Sequence, residues 1–494
     1  MSIQASSSAQ PIDPGPSGAS AAFTSNDPIV KQAHALMDSG KFKEAQSLLA
    51  SDDGHADPNV MEAREEMKEI IRRTREEFPL TAAALLAKIQ KSIPDATADD
   101  LERWNKAGQA EYHNVDGQIL YYVREPVNIY RFSPEAKQRK EANQKKDDSS
   151  QDSWTLAKHL ANVVAAGEKS DTPEVLPIRH RITYTLTVDP NRPGAKAGSV
   201  LRCWLPYPQE YRQQKNVKLI SASEGAHIAP SAIDGKMIGG APQRTVYFER
   251  QITDPTKPET FNETFEFDSY AYYPRLSDEL AQPLPSNWGD TDLGERLPHI
   301  AFTPQMKATV AKIIGDETNP LKKVRKIYYW INENVRYHAE QEYTTLPSFS
   351  ISCLSTHKGD CGVQSILFIT MARIAGVPAR WQSGWETKRD GDDSMHDWAE
   401  AYIAPWGWLP IDQSYGIRRD SNDPKIREFY IGHQDSYRII FNLDYGCPLH
   451  PPKKSLRSEP ADFQRGEVEM DGRNLYFDEW DWDMKIDYLT DEPK

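Results

Sequence analysis

A cysteine, a histidine and an aspartate in the second half of the chain have the order of a thiol catalytic centre. Cys361 lies in the stretch GDCGVQSILF, His396 follows in MHDWAEAYI, and Asp412 comes later in WLPIDQSYG. A thiolate can attack a carbonyl carbon when a neighbouring base takes the thiol proton and a third group orients that base. Chemistry of this kind depends on whether the surrounding elements bring the three side chains together.

The residues that follow Cys361 predict a buried helix. Gly376 and Pro378 mark its end. Its apolar stripe consists of Val363, Ile366, Leu367, Thr370, Met371 and Ile374. Cys361 then lies at or beside the first turn, where unpaired N–H groups and the positive end of the helix dipole favour a thiolate. The same N–H groups are candidate donors to an oxyanion.

The segments around His396 and Asp412 predict a β-hairpin. Alternation in MHDWAEAYI places His396, Trp398, Glu400 and Tyr402 on one face of a strand. APWGW turns the chain near residues 404–407, and WLPIDQSYG returns as a second strand. We therefore expect Asp412 to lie beside His396.

Other roles for the cysteine compete with catalysis. Cys361 can be a structural core residue. Cys353, His357 and Cys361 form a C-x3-H-x3-C run that resembles a partial zinc site, although a fourth ligand and a Cys-x2-Cys pair are absent from it. A Cys353–Cys361 disulfide would block the nucleophile. The presence of His396 and Asp412 favours the catalytic interpretation.

Taken together, these motifs resemble the transglutaminase-like superfamily of papain-like thiol enzymes. The matching features are Gly359 and Cys361 at a helix start, GVPAR at 376–380, an H-x-W-x-E pattern from His396, and Asp412. The resemblance covers about residues 304–420 and is closest to bacterial multidomain members. It implies that Cys361 is the nucleophile, His396 the base and Asp412 the group that orients the base. It implies no metal and no organic cofactor.

Four further residues are possible auxiliaries of this site. Trp398 either shields the Cys–His pair from water or packs in the core. Glu400 is expected to be a structural hydrogen-bonding group rather than a catalytic acid. Tyr337 and Gln341 are candidates for completing the oxyanion hole.

The pattern along the chain predicts a multidomain α+β fold with a helical N-terminal region, a β-sandwich and a papain-like, transglutaminase-like α+β core with a C-terminal extension. The expected divisions are a disordered tail (1–27), a mostly helical domain (28–170), the β-sandwich (176–280), the catalytic core (298–420) and an extension completing the core (421–494).

Composition and charge disfavour some classes of binding partner. The 494 residues carry a formal net charge of −14, which disfavours nucleic acid and anionic membranes. A hairpin at Asp116-Gly117 after several helices is also seen in winged-helix DNA binders, but no basic face accompanies it.

No stretch approaches the ~20 apolar residues of a membrane span. The N-terminus lacks signal-peptide features, which indicates a cytoplasmic protein unless a signal has been trimmed. Compartment and oligomeric state stay open.

The expected function is thiol acyl transfer on amide bonds of proteins or peptides through a thioester. Water resolves the thioester in a peptidase or amidase, and an amine resolves it in a protein-glutamine γ-glutamyltransferase. We favour hydrolysis over cross-linking. The alternative from another class is an inactive papain-like scaffold that binds protein partners.

Overall fold

Part of the N-terminal segment expected to be disordered is helical. The computed structural model describes residues 20–51, 57–143, 154–189, 194–231, 241–289, 292–389 and 394–490. Residues 1–19 of the expected disordered tail lie outside this part. Within residues 20–27 the expectation is wrong, because Ala21–Thr24 form a short helix, α1, whose Ala22 is buried. Asp27 also accepts hydrogen bonds from Arg64.

Helices dominate the N-terminal region. They are α1, α2 (Pro28–Asp38), α3 (Phe42–Ala50), α4 (Pro58–Glu77), α5 (Ala82–Gln90), α6 (Ala98–Lys106), α7 (Glu125–Phe132), α8 (Pro134–Asn143) and α9 (Leu156–Gly167). Asp27 caps α2, with Pro28 in its first turn. The predicted hairpin is present as β1 (Tyr112–Val115) and β2 (Gln118–Tyr121). Positive φ at Asp116 and Gly117 provides its tight turn.

Two antiparallel sheets form the predicted β-sandwich. Its strands from the middle of the chain are β3 (Glu174–Val188), β4 (Val200–Pro206), β5 (Gln214–Ala222), β6 (His227–Ile228), β7 (Thr245–Gln251) and β8 (Glu259–Tyr272). Along β3, buried residues alternate with more exposed ones from Ile182 to Val188, which fits a strand with one face on a core. The two sheets enclose a shared apolar cluster that includes Leu186, Phe248 and Phe265.

The strands of the C-terminal extension divide among three sheets, the core sheet and the two sheets of the sandwich. β14 (Arg438–Asn442) pairs with the core strand β11 (Ala379–Glu386). β15 (Glu467–Met470) pairs with β4 and with β16 (Arg473–Leu475), and β17 (Trp480–Tyr488) pairs with β3. The expectation that all of 421–494 completes the core is therefore wrong for these last strands, which complete the sandwich. Their apolar side chains are buried in the apolar cluster between the two sandwich sheets.

The core positions the candidate site between helices and a four-stranded sheet. Its helices are α10 (Pro304–Ile314), α11 (Pro320–Asn334), α12 (Phe349–Thr356), α13 (Cys361–Ile374) and the short α14 (Pro424–Arg427), with a 3₁₀ turn at Tyr343–Thr345. The sheet order is β13 (Gly407–Ile411), β12 (Ser394–Ile403), β11, β14. A small parallel pair, β9 (Arg336–Tyr337) and β10 (Lys358–Gly359), lies next to the start of α13.

The helical region packs against the core close to that small pair. Asn128 of α7 accepts a hydrogen bond from the backbone N–H of Ala339 at 2.8 Å. The hydroxyl of Tyr122 donates to the carbonyl of Glu340. The N-terminal region therefore braces the segment that follows β9. Across the described residues, no helix has both the length and the apolar character needed to cross a bilayer.

Candidate active site

Cys361 is the first residue of α13, as the sequence predicts. Asp360 is the N-cap, and its carboxylate accepts a hydrogen bond from the N–H of Val363 at 3.1 Å. Only 6% of Cys361 is exposed. Its Sγ donates a hydrogen bond to Oδ2 of Asp397 at 3.4 Å, and among the described residues none joins it to His396. The thiol is therefore buried and has a carboxylate as its partner.

The expectation that this position favours a thiolate is wrong for the state that the structure shows. Burial raises the pKa of Cys361 well above its usual range, and the negative charges of Asp397 and Asp360 raise it further. The backbone N–H of Asp397 opposes these effects but does not reverse them. The sequence argument included the helix dipole but not the carboxylates that the fold brings to the sulfur.

His396 and Asp412 meet as the predicted hairpin requires. Ala399 of β12 lies opposite Ile411 of β13, so Asp412 continues beside the start of β12. Nε2 of His396 and Oδ2 of Asp412 are 2.8 Å apart, and both side chains are buried. This bond uses Nε2 and leaves Nδ1 as the ring nitrogen available for proton exchange.

A second carboxylate and a guanidinium complete the surroundings of His396. Oε1 of Glu386 lies 3.6 Å from Nε2 of His396, and Nη1 of Arg438 lies 3.3 Å from the same Oε1 and 3.0 Å from Oδ2 of Asp412. Burial alone would lower the pKa of His396, but the charges of Asp412 and Glu386 outweigh it and the net pKa is raised. The site therefore stabilises an imidazolium.

The same cluster has side chains of the types that bind metal ions. Donor atoms of Glu386, His396 and Asp412 all lie within 4.8 Å of one another. The guanidinium of Arg438 bridges the two carboxylates and supplies the positive charge that a metal would bring. We therefore assign these residues to an ion-pair network.

Trp398 and Glu400 occupy structural surroundings on the same strand. The Trp398 ring stacks beside His396 with centroids 5.9 Å apart, and its Nε1 donates to Gln382 at 2.6 Å. Glu400 is fully buried, and its carboxylate forms salt bridges with Arg380 at 2.9 Å and with Arg212 at 3.0 Å. Trp398 thus packs behind the histidine, and Glu400 has no free oxygen directed at the sulfur.

Of the two oxyanion candidates, only Tyr337 lies at the cysteine. Tyr337 pairs with Gly359 in the small sheet. A negative charge on the nearby Cys361 would raise the pKa of Tyr337, and burial of the hydroxyl raises it as well, although 36% of the residue is exposed. Gln341 instead donates to Glu111 of the helical region at 3.2 Å. Tyr337 therefore stays a candidate oxyanion donor, whereas Gln341 points elsewhere.

The zinc and disulfide alternatives lack support in the geometry. Cys353 and Cys361 are both free thiols. Nδ1 of His357 lies 2.9 Å from the carbonyl oxygen of Asn334, and the Cys361 sulfur bonds Asp397. His357 and Cys361 therefore have separate partners, and Cys353 is a buried free thiol.

Sequence reasoning missed several groups around the sulfur and the histidine. Asp397 had a visible signal, because strand alternation puts it on the face opposite His396, together with Ala399 and Ala401, which pack into the apolar cluster of α13. Arg438 and Glu386 had none, since β14 and the far end of β11 reach the site only through sheet pairing.

Comparison with known proteins agrees with the geometry. Residues 307–413 match the family model of the transglutaminase-like superfamily. These residues form a transglutaminase-like domain. The match includes Cys361, His396 and Asp412, and it stops short of the β-sandwich and the helical region.

Individual relatives share parts of the chain. It is 25% identical over 228 residues to an uncharacterized protein of Haemophilus influenzae, covering 39% of this chain and 60% of that protein. It is 26% identical over 133 residues to the uncharacterized protein YebA of Bacillus subtilis, covering 23% of this chain and 18% of that one. The chain therefore spans less than two thirds of the length of both curated relatives.

Two solved structures are similar to larger parts of the chain. A candidate cysteine protease from Cytophaga hutchinsonii is 15% identical, with a TM-score of 0.43, covering 64% of this chain and 93% of that one. The periplasmic domain of TgpA from Pseudomonas aeruginosa is 16% identical, with a TM-score of 0.25, covering 51% of this chain and 91% of that one.

Proposed function

We propose that this protein is a thiol acyl-transfer enzyme that acts on amide bonds of proteins or peptides through a thioester on Cys361. The observation that carries the proposal is the pairing of His396 with Asp412 at 2.8 Å, on the strand whose next residue, Asp397, contacts the Cys361 sulfur. A buried thiol at a helix start, with an oriented imidazole on the strand that contacts its sulfur, fits the needs of nucleophilic catalysis by cysteine.

The reaction would start with proton transfer from sulfur to Nδ1 of His396, while Asp412 holds Nε2. The thiolate attacks the amide carbonyl carbon, and backbone N–H groups at the start of α13, with the Tyr337 hydroxyl, stabilise the oxyanion. The C–N bond then breaks, the leaving nitrogen takes the proton from His396, and a thioester remains. Water, deprotonated by His396, attacks this thioester and releases the acid and the free thiol.

We favour water over an amine as the acceptor because Cys361 is 6% exposed. A thioester at this depth is reached more easily by water than by a lysine side chain on a second protein. Cross-linking by a protein-glutamine γ-glutamyltransferase activity is the alternative for the second half-reaction. A papain-like scaffold without turnover is the alternative for the whole molecule.

Residue-resolved alkylation separates an activated cysteine from an inert one. Cys447 is a matched internal control, because it is 8% exposed and its Sγ also bonds a carboxylate, Asp444, at 3.5 Å. We expect iodoacetamide to modify Cys361 at least about tenfold faster than Cys447 near neutral pH, and His396→Ala to remove the difference. Equal rates at both cysteines in the unmodified protein would contradict the enzyme proposal.

Peptide libraries with and without a primary amine then distinguish the products by mass spectrometry. Hydrolysis gives cleaved or deamidated peptides in both samples, whereas transamidation adds the mass of the amine with loss of ammonia. Cys361→Ala is the negative control, and it should abolish every product. Amine adducts as the main product would replace hydrolysis by cross-linking.

A further inference from the structure

The Cys361 thiol donates a hydrogen bond to Asp397, the residue between His396 and Trp398. Its carboxylate is 2% exposed and points from β12 toward the start of α13. His396 turns instead to Asp412. Two neighbouring residues of one strand thus contact different groups. Asp397 accepts a hydrogen bond from the Cys361 thiol, and His396 pairs with Asp412.

Donors on two other segments fix the Asp397 carboxylate in place. The Tyr343 hydroxyl lies 3.1 Å from its Oδ2 and 2.9 Å from Oδ1 of Asp360, so the two carboxylates share the single hydroxyl proton. Nε2 of Gln464 donates to Oδ1 of Asp397 at 2.8 Å. Within the described residues, Asp397 forms no salt bridge with lysine or arginine. Because contacts to both of its oxygens fix the Asp397 carboxylate, it is a preorganised hydrogen-bond acceptor for the thiol.

From these contacts we propose that Asp397 is a positioning residue that holds Cys361 as a hydrogen-bonded thiol in the resting protein. Forming the nucleophile breaks the S–H bond: the proton passes to Nδ1 of His396, the electron pair stays on sulfur, and Asp397 keeps its charge and its bonds from Tyr343 and Gln464. This inference rests on the proposed function only for the identity of the proton acceptor.

The charges around the pair favour the protonated thiol. A thiolate beside an ionised carboxylate is opposed by like-charge repulsion in a buried site. The other titratable groups that act on Cys361 or Asp397 are Asp360, Tyr337, Tyr343, His396, Asp462 and Glu459. Glu340 and Arg124 act on the adjacent Asp360. Four of these eight groups are carboxylic acids, but Asp397 is the carboxylate in contact with the sulfur, so removing its charge should have the largest single effect.

The test is the pH dependence of Cys361 alkylation by iodoacetamide, followed by mass spectrometry, in the full chain and in Asp397→Asn. Asparagine keeps the size of the side chain and accepts the Gln464 bond, but it lacks the charge. We expect the midpoint pH to fall by at least about one unit, which means about tenfold faster labelling below the midpoint. An unchanged or higher midpoint would overturn the proposal.

Asp360→Asn is the matched control, because Asp360 is also a carboxylate beside Cys361 but its side chain caps α13 and does not touch the sulfur. Its midpoint should move less than that of Asp397→Asn. An equal shift would show that general negative charge, not the Asp397 bond, sets the thiol state, and would reject the proposal.

Two further measurements keep the result unambiguous. If Asp397→Asn fails to fold, judged by circular dichroism and by faster Cys447 labelling, Asp397→Ser removes the same charge with less bulk and carries the same expectation. The shift is also measured in the His396→Ala background, where it should persist. A persistent shift without amide turnover in the unmodified protein would reject the proposed function and leave the role of Asp397 standing.

Discussion

At Asp412 one carboxylate contacts both a histidine and an arginine. Its Oδ2 lies 2.8 Å from Nε2 of His396 and 3.0 Å from Nη1 of Arg438. Burial opposes ionisation of Asp412, but His396 and Arg438 outweigh it, so its pKa lies below the usual range. Asp412 therefore stays negative, and this charge fixes the histidine tautomer with the proton on Nε2.

Asp412→Asn should lower amide turnover about 10²–10⁴-fold while leaving the fold intact. The amide is similar in size, but it cannot stabilise an imidazolium and can orient the ring in the wrong tautomer. Steady-state turnover of a peptide found in the library screen measures the effect. Ser414→Ala, which removes only a donor to Oδ1 of Asp412, serves as control and should lose less than about tenfold. Full activity in Asp412→Asn would exclude its orienting role.

Among the elements, α13 begins at a close approach of three segments. A side chain at Gly362 would place its Cβ 2.1 Å from the Tyr343 hydroxyl and 2.8 Å from Oδ2 of Asp397. Glycine therefore allows the 3₁₀ turn and β12 to reach the first turn of the helix. The hydrogen bonds around the sulfur depend on this approach.

Gly362→Ala should destabilise the protein by about 1–3 kcal/mol, because a buried methyl group is forced into occupied space. It should also change the rate of Cys361 labelling, since Tyr343 and Asp397 must move. Urea unfolding and residue-resolved alkylation provide the two readouts. The control is Gly294→Ala, where an added Cβ meets nothing within 4 Å. If both variants unfold at the same urea concentration, the close approach has no energetic importance.

For the whole molecule, the contact between the helical region and the core contains a buried acid. Glu125 of α7 is fully buried, and neither carboxylate oxygen has a hydrogen-bond partner within the described residues. Burial, with some repulsion from Glu111, raises its pKa to about 8. The folded protein therefore binds a proton there that the unfolded chain has released. Stability then falls as pH rises from the unfolded pKa, 4.5, to about 8.

Glu125→Gln should remove this pH dependence. At pH 8.5 we expect the free energy of unfolding to rise by about 2–4 kcal/mol, whereas at pH 5 it should change little, because Glu125 is already neutral in the folded state. Urea titrations at both pH values give the comparison. Glu65→Gln, at an exposed position of α4, should leave the pH dependence intact. Parallel pH profiles for Glu125→Gln and the unmodified protein would refute the buried-acid explanation.

The parts of the site that local rules govern could be predicted from the sequence. The start of α13 follows from the Asp360 cap and the helical stripe, and the approach of His396 to Asp412 follows from the parity of one hairpin. The existence of the sandwich strands follows from alternation and turn residues, although their pairing joins segments far apart in sequence. The helix start and the hairpin are local because their contacts lie within a short stretch of the chain.

The tertiary structure alone decided what surrounds these residues. Asp397 reaches the sulfur from one segment and Tyr343 reaches Asp397 from another. Arg438 reaches Asp412 from a later strand, and β17 pairs with β3 from the far end of the chain. Contacts between distant segments leave no periodic mark in the sequence. The sequence by itself therefore determined that Cys361 starts a helix and that His396 lies beside Asp412, because both depend on local patterns. The packing of distant segments decided that the buried sulfur has the Asp397 carboxylate as its partner.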